Sequence, residues 1–530
     1  MKKKLYILVI TALSCLTAGL VSCDDYFDLR PQSEITLEDF WENEADVASA
    51  VGACYRGMNQ EGFLKRMIVW GEVRSDNVVG GGNINNPNDG DAQALSRILN
   101  LSLTADNSYT YWGEVYSVIN NCNNVIRFAP EVKKKDPNFS EIQFNTYMAE
   151  AVGIRALCYF TLLRTFRDIP LITEPTIDDS KPFEIEQARP DSVINFLIRD
   201  LKNVENKAMK TFKNNRVYDK GRITQKAIWA LLADIYLWNN EYNNCIAYCD
   251  KILNDPEYRI DLELQSSATY NLNVFVTGNS KESIFELQFD PLNVRNNTIY
   301  KFYSYYDAPF GGTVFLLASY NFDKKKSTFF TSSDLRGKDA VFLESAYNGS
   351  YPIMKYTYYR QGVAYSQLEK DYTSTRRIND GSPNWIFYRL PDIYLMKAEA
   401  LVEKNNLEEA YSMVRLSYNR ANPENELPEI ATHSQEALRN LVFDERQREF
   451  LFEGKRYFDL LRRIKRENSP TFVVQNFLIR KYVHLDMATV RTKLSDMDAL
   501  FMPINKTELK LNTKLVQNPF YVESQDIIKN

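Results

Sequence analysis

Two helical hairpins with matching residue spacing constrain the fold of this chain more than any other feature of its sequence. Each pairs two amphipathic segments across a short polar break: 224–238 with 242–253, and 385–403 with 407–420. Four positions align at identical spacing, Ala233, Tyr236, Tyr242 and Cys245 in one hairpin and Ala398, Leu401, Leu407 and Ala410 in the other. Small residues at a helix crossing, with larger ones on either side, are typical of the tetratricopeptide helix–turn–helix. Two unrelated hairpins are the alternative, because the period is not sustained along the chain.

The remaining periodic segments extend this helical pattern. Apolar residues recur at helical spacing over 147–166, 192–204 (with Asp191 as N-cap) and 444–463, whereas 282–289 alternates like a short strand. No Gly/Ser/Pro linker divides the chain. The sequence therefore predicts a mainly α protein: one large unit over 23–530 with tetratricopeptide-like repeats, long irregular loops and a few short strands. The loop-rich region is predicted at about 255–385.

The first residues predict a lipoprotein signal peptide over 1–22. A cationic Met1-Lys2-Lys3-Lys4, an uncharged stretch and a Leu20-Val21-Ser22-Cys23 ending follow the order of a secretory signal. The ending resembles the bacterial lipobox, in which Cys23 is lipidated and becomes the mature N-terminus. An uncleaved transmembrane helix is the alternative, because about 18 apolar residues can just span a bilayer. The next pair, Asp24-Asp25, resembles an export signal for the outer face of the outer membrane, and a polar tether is its alternative.

Charge and residue usage exclude several classes of protein. The formal net charge is −5 and no long basic run occurs, so the chain lacks the electrostatic pattern of a nucleic-acid-binding protein. His433 and His484 are the only histidines, and neither has a partner at ligand spacing for zinc or a His-based triad. Five cysteines are predicted to be core residues: Cys54, Cys122, Cys158, Cys245 and Cys249. Pairing or metal binding by the last two, one helical turn apart, is the alternative.

Aromatic and polar residues in the irregular regions are the candidate binding residues. Sugar rings present C–H faces that an aromatic plane can cover, while amides and carboxylates fix the hydroxyls. Trp70, Arg74, Asp76 and Asn77 precede a long polar loop over 78–91, and a second cluster follows later in the chain, comprising Tyr300, Tyr303, Tyr305 and Tyr306. Burial beneath the loops is the alternative for each aromatic residue. If the first group binds glycan, Trp70→Ala should weaken binding and change the melting temperature by only a few degrees.

Two other groups are less convincing as sites. Tyr109, Tyr111 and Trp112 begin a helical pattern and are predicted to be core residues. The acidic and basic residues of 445–463 fit structural ion pairs at i,i+3, Glu445 with Arg448 and Glu453 with Arg456. No hydrolase motif or phosphate-binding loop accompanies them, so no enzyme activity is predicted.

The order of several short motifs resembles that of the SusD/RagB family of nutrient-uptake lipoproteins, along nearly the whole chain. The motifs are Phe166-Arg167-Asp168-Ile169-Pro170-Leu171, with Arg167 where Gly is usual; Gly221-Arg222-Ile223-Thr224; Asp334-Leu335-Arg336; Tyr388-Arg389-Leu390-Pro391-Asp392; Glu445-Arg446-Gln447-Arg448; Glu453-Gly454-Lys455-Arg456; Phe501-Met502-Pro503-Ile504; and Gln517-Asn518-Pro519. Each motif alone is weak, whereas their joint order is specific.

This resemblance implies a function that composition and spacing do not. The chain would be an outer-membrane lipoprotein facing the extracellular side, seated over a TonB-dependent transporter and delivering captured oligosaccharide to it. By rough correspondence, the segment from Trp70 to Asn77 lies where family members present ligand-binding residues. No cofactor is expected, and a bound calcium ion is left open. Peptide capture, a secreted glycoside hydrolase and a tetratricopeptide adaptor are the alternative functions.

Overall fold

The structure is a computed structural model that describes residues 40–177, 184–213, 215–266, 270–303, 315–319, 329–331, 333–337, 353–360, 375–377, 381–428 and 434–522. The predicted signal peptide, the lipid-attachment residue Cys23, and the candidate binding residues Tyr305 and Tyr306 lie outside these ranges.

Helices account for most of the described chain, which confirms the predicted mainly α fold. The helices are α1 (Glu44–Met58), α2 (Glu61–Ile68), α3 (Gly90–Leu99), α4 (Gly113–Lys135), α5 (Glu141–Phe166), α6 (Pro190–Val204), α7 (Arg216–Gly221), α8 (Gln225–Trp238), α9 (Tyr242–Asn254), α10 (Pro256–Asp261), α11 (Asn297–Tyr303), α12 (Leu390–Glu403), α13 (Leu407–Ala421), α14 (Gln435–Phe450), α15 (Arg456–Glu467), α16 (Thr471–Asn476), α17 (Met487–Ser495) and α18 (Lys506–Leu511). None of the helices within the described ranges is long and apolar enough to cross a membrane.

The strands are short and form two-stranded antiparallel pairs. In chain order they are β1 (Val78–Gly80), β2 (Ile169–Pro170), β3 (Gln187–Ala188), β4 (Ser283–Leu287), β5 (Leu316–Ala318), β6 (Tyr358–Arg360), β7 (Thr375–Arg377) and β8 (Trp385–Arg389). The pairs are β1 with β5, β2 with β3, β4 with β8, and β6 with β7. Strand β4 confirms the strand predicted over 282–289.

The two hairpins α8–α9 and α12–α13 have the matching geometry that the sequence predicts. Ala233 and Ala398 are fully buried where the helices of each hairpin meet. Each turn contains a left-handed asparagine at the same point, Asn240 with φ 61° and Asn405 with φ 58°. Asparagine tolerates this conformation better than most residues with a Cβ, so it can reverse the chain without glycine. Because Cys245 on α9 also lies against the backbone of Met396 on α12, the two hairpins stack as consecutive tetratricopeptide-like units.

A single apolar core unites most of the described elements. It runs from Trp41 to Ile504 in sequence and includes residues from α1, α5 and α8. Helix α5 is buried nearly all round from Ala149 to Phe166, which places it at the centre of the fold. The five predicted core cysteines are all buried and free, as expected of small core residues.

Two predicted helices differ from the structure. Residues Trp385–Arg389 were expected to begin a helix but form β8, which pairs with β4 before the chain turns into α12. The long run over 444–463 is divided between α14 and α15 by a turn in which Phe452 and Gly454 have φ of 65° and 70°. Both corrections have the same physical cause: contacts distant in sequence decide these segments, and the local apolar pattern is compatible with either structure.

Two helix starts also differ from the predictions. Helix α5 begins at Glu141, where Ser140 and Gln143 form a capping box, several residues before the predicted start. Helix α6 begins at Pro190 with Arg189 as its N-cap, so Asp191 lies in the first turn and is not the cap. Proline at the first helical position and an acid in the first turn both favour this start.

A buried ionic network joins the loop-rich region to the helices. Arg389 forms ion pairs with Glu282 and with Glu453, each at 2.7 Å. Lys355 forms an ion pair with Glu453 at 2.6 Å. All four side chains are inaccessible to solvent. Their mutual pairing therefore holds two distant parts of the chain together, because removing one partner would leave an uncompensated buried charge.

The ion pairs predicted within 445–463 are formed only in part. Glu445 does pair with Arg448, at 3.0 Å. The predicted Glu453–Arg456 pair is replaced by longer-range contacts, because Glu453 faces Arg389 and Arg456 bonds Asp76 at 2.9 Å. These charges lie mostly inside the protein and not on a helix surface, and they link elements rather than successive turns of one helix.

Candidate functional site

Trp70 lies beneath the predicted binding loop and not on its surface. Only 1% of its surface is exposed. Its indole N–H donates to the carbonyl of Tyr109 at 2.8 Å, and its ring meets Phe166 edge-on at 5.3 Å. This corrects the expected exposure of Trp70, because a side chain enclosed in this way cannot stack on a sugar in this conformation.

The polar residues that follow Trp70 are also buried and bonded within the protein. Arg74 donates to the carbonyls of Leu500 at 2.8 Å and Ala499 at 2.6 Å. Asp76 accepts hydrogen bonds from Arg456, and Asn77 donates to Glu72 at 2.7 Å. The expected presentation of Arg74, Asp76 and Asn77 to a ligand is corrected likewise, since their polar groups already have partners in the protein.

These residues instead form a rigid base for the polar loop. The backbone at Gly71 lies so close to Gly454 that a Cβ at position 71 would be 1.8 Å from the Gly454 carbonyl oxygen. Beside this contact, Glu72 accepts a hydrogen bond from the Gly454 N–H at 3.0 Å, and burial raises the pKa of its carboxyl to about 7. The base is thus joined, backbone to backbone, to the turn between α14 and α15.

The structure places the polar loop that follows Asn77 beside the chain around α11 and β5. Strand β1, directly after Asn77, pairs with β5, with Val79 opposite Leu317. The Gly81 N–H donates to the Phe315 carbonyl at 2.7 Å, and the Ser319 N–H donates to the Asn77 carbonyl at 2.8 Å. We call the surface formed by residues 81–91 and α11, above the buried strand β5, the loop face. Neither segment predicts this pairing by itself, because the two strands are far apart in the chain.

The loop face exposes mainly amide, carboxylate and hydroxyl groups. Asn85 and Asn88 are exposed, and Tyr300 on α11 is half-buried. Tyr303 is fully buried, with its ring 6.2 Å from that of Phe452, so its expected exposure is also corrected. Among the predicted aromatic contacts that the structure describes, Tyr300 is therefore the one that reaches the surface.

Charges at the edge of the loop face are balanced. Lys65 bonds Asp91 at 2.6 Å, and the Tyr109 hydroxyl donates to the same carboxylate at 2.9 Å. Burial acts to raise the pKa of Asp91, but the hydrogen bonds and the positive charge of Lys65 outweigh it and hold the pKa below its ordinary value. Lys301 lies 3.7 Å from the same carboxylate. The edge therefore presents a stably ionised acceptor beside a cation, without a large excess of either charge.

The described side chains provide no cluster of three or more His, Cys, Asp or Glu residues able to hold a metal ion. The polar groups of the loop face are hydrogen-bond donors and acceptors suited to a hydroxylated ligand.

Comparisons with known proteins identify the family of the chain. A model described as the SusD family matches residues 293–521. A second model, described as starch-binding associating with outer membrane, matches residues 25–237. The chain belongs to the SusD/RagB family.

Relatives within the SusD/RagB family match over most of their length. A SusD-like protein, P38, of Formosa agariphila is 25% identical over 500 residues, which is 87% of this chain and 92% of the relative. A SusD superfamily structure from Bacteroides vulgatus superposes with a TM-score of 0.70 at 21% identity, covering 91% of this chain and all of the other. A laminarin-binding SusD-like protein superposes with a TM-score of 0.66 at 21% identity, covering 90% and 100%.

A strained residue follows α5. Arg167 comes directly after the last residue of that helix and adopts a positive φ of 70°. Glycine adopts this conformation without a steric penalty, whereas Arg167 is strained. Its guanidinium group bonds Asp168 at 2.7 Å and also pairs with Asp498. These two ion pairs hold the strained residue in place.

Proposed function

We propose that this protein captures an extracellular oligosaccharide at the loop face and delivers it to a TonB-dependent transporter in the outer membrane. The proposal is carried by the position of the polar loop beside α11, where Lys301 lies 3.7 Å from Asp91 and Tyr300 is half-buried. Membership of a family with a starch-binding model supports a carbohydrate as the ligand.

The chemistry of the loop face fits a neutral or weakly charged glycan. Asn85 and Asn88 offer amide donors and acceptors, Tyr300 offers part of an aromatic surface, and the Asp91–Lys301 contact keeps the local charge balanced. Tyr305 and Tyr306 stay candidates from the sequence. An open surface with few charged contacts should bind in the micromolar to millimolar range, roughly −8 to −4 kcal/mol.

The lipobox-like ending at Cys23 and the family description support anchoring to the outer membrane. Lipidation of Cys23 would attach the chain to the membrane, and the description of one matching model includes association with the outer membrane. Attachment through acyl chains leaves the ligand-binding unit in water, where it can meet a polysaccharide before the transporter does.

The test is a glycan array probed with the chain starting at Asp24. We expect a consistent signal from one glycan class, weakened by the double variant Asn85→Ala/Asn88→Ala. The matched control is Asn243→Ala, which removes an exposed asparagine from α9, away from the loop face. Equal weakening by the control and the double variant would contradict binding at the loop face.

Two further measurements separate this proposal from other functions. Binding of an oligopeptide panel without any glycan signal would favour peptide capture on the same fold. New reducing ends, released from a polysaccharide by the purified chain, would instead indicate a hydrolase.

Co-purification of the full-length chain with a TonB-dependent transporter tests delivery. Failure to recover a transporter with the chain from mild detergent extracts would count against that step.

A further inference from the structure

A second cleft lies apart from the loop face, between the start of α4, the segment after β2 and the C-terminal helix α18. Its volume is about 550 Å³, within the range of roughly 300–1,000 Å³ typical of small-ligand sites. None of its lining residues belongs to the loop face. The cleft therefore offers a separate place for a ligand.

An exposed tyrosine forms one wall of the cleft. Tyr111 is 36% exposed, whereas its neighbours Tyr109 and Trp112 are 2% and 3% exposed. Its ring lies across Gly113, where an added Cβ would come within 2.2 Å of the tyrosine hydroxyl oxygen. A glycine at this position lets the Tyr111 ring pack closely against the start of α4 while part of the ring remains exposed.

Polar groups in the cleft remain available to a ligand. The Trp112 indole is hydrogen-bonded to Glu508, and Oε1 of that carboxylate has no hydrogen-bond partner among the described residues. Thr176 is exposed at the rim. The Tyr116 hydroxyl already donates its hydrogen bond to the Pro170 carbonyl at 2.7 Å, so it is not a free donor for a ligand. The Glu508 Oε1 oxygen is buried and unsatisfied among the described residues, so a ligand hydroxyl group that reached it would supply the missing hydrogen bond.

The charge of the lining selects among ligands. Among the described residues that line the cleft, Glu508 is the only charged one. The Arg66 guanidinium lies just outside the lining, 5.8 Å from the centre of the Tyr111 ring, and is itself paired with Glu114. An anionic sugar would be repelled by the Glu508 carboxylate, whereas neutral hydroxyl groups can donate to it. Apolar side chains such as Ile172 and Leu511 complete the walls and suit the C–H faces of a sugar ring.

We propose that this cleft is a second carbohydrate-binding site, which takes a neutral saccharide of one or two residues stacked on Tyr111 with a hydroxyl group bonded to Glu508. The inference shares the ligand class of the proposed function and uses none of its residues. It can therefore stand or fail independently of binding at the loop face.

The experiment measures binding of maltose, cellobiose and lactose to the chain from Asp24 by saturation-transfer NMR and calorimetry, with sialyllactose as the anionic comparison. Tyr111→Ala should weaken binding of a neutral disaccharide by roughly 3- to 10-fold, the loss expected when one stacking ring is removed. Gly113→Ala should weaken it similarly, because its methyl group displaces the Tyr111 ring. The control is Tyr218→Ala, which removes a tyrosine that is 48% exposed on α7.

Glu508→Gln provides a second, independent readout. It removes the only charge in the lining and keeps the size of the side chain, so it should narrow the preference for neutral over anionic sugars. A preference that stays unchanged would contradict the assigned role of Glu508. A melting temperature close to that of the parent chain establishes that these variants are folded.

Each outcome decides the inference. Loss of disaccharide binding in Tyr111→Ala and Gly113→Ala, but not in Asn85→Ala/Asn88→Ala, supports a second site even if the loop face binds nothing. Binding that is lost only in the loop-face variants overturns it. So does the absence of binding by all neutral sugars at roughly 10 mM, or binding of leucine-rich peptides in their place.

Discussion

Replacing Trp70 tests whether this residue supports the loop or contacts the ligand. The ring is enclosed by the core, and its N–H is bonded to the Tyr109 carbonyl. Truncating a buried tryptophan to alanine costs about 3–5 kcal/mol, and leaving a buried carbonyl without its donor adds about 1 kcal/mol. We therefore expect Trp70→Ala to reduce the free energy of unfolding by about 4–6 kcal/mol.

A milder replacement separates stability from binding. Trp70→Phe keeps most of the ring contact with Phe166 but removes the N–H group, so it should cost about 1–2 kcal/mol. Because the residue does not reach the surface, its glycan affinity should match that of the unaltered chain.

Differential scanning calorimetry and glycan titration of the two variants provide the assay. A change of 1 kcal/mol shifts the melting temperature by about 2–4 °C for 150–250 residues, and by less for a chain of this size. At about 1 °C per kcal/mol for a chain of this length, we expect Trp70→Ala to melt about 4–6 °C lower. If it melts within about 1 °C of the unaltered chain while losing glycan binding, the ring contacts the ligand and the buried placement is refuted.

Two predictions concern the remaining features. The pKa of Asp459 is lowered to about 2, because the positive charges of Arg446 and Arg462 outweigh the opposing effect of burial. Its folded pKa thus lies below the unfolded value, so about 2 kcal/mol of stability is present above pH 4 and is lost as the pH falls towards 2. Urea unfolding should show that the free energy of unfolding of Asp459→Asn is lower than that of the unaltered chain at pH 7, and that the difference between the two proteins narrows below pH 4. A difference that stays constant with pH would contradict the argument. For the anchor, Cys23→Ala should move the protein from the membrane fraction to the soluble fraction after cell lysis, and continued sedimentation with membranes would contradict lipidation.

The repeat hairpins could be predicted because their determinants are local. Helical periodicity and the polar breaks at Asn240 and Asn405 lie within each hairpin, and the structure shows the same turn in both. Strand β8 could not be predicted, because residues 385–389 continue the apolar pattern of the following helix and only the distant strand β4 makes them extended. Local pattern thus determines the repeats, and long-range pairing determines the strands.

The site was predictable only as a region. Trp70 and Arg74 are residue types suited to sugar binding. Their burial, however, depends on contacts with Tyr109 and with the backbone near Leu500, which are remote in sequence. Tyr111 was grouped with two buried aromatic neighbours, and no local pattern distinguishes it from them. The exposure of a side chain in an irregular segment depends on which distant residues pack against it. Irregular segments have no hydrophobic periodicity, so a single sequence does not reveal which of their side chains are buried.

The backbone contact between Gly71 and Gly454 has a consequence for exchanging parts between related proteins. It separates a base that tolerates no added atom from an outer loop whose residues Asn85 and Asn88 face solvent. A foreign loop grafted between Gly80 and Asp91 would keep the Gly71–Gly454 contact, whereas a graft beginning before Gly71 would have to bring its own partner for the α14–α15 turn. Such a graft would also have to supply an apolar side chain in place of the buried Ile84 and a cap for α3 in place of Asp89. Under these conditions the outer loop can be exchanged without changing the base beneath it.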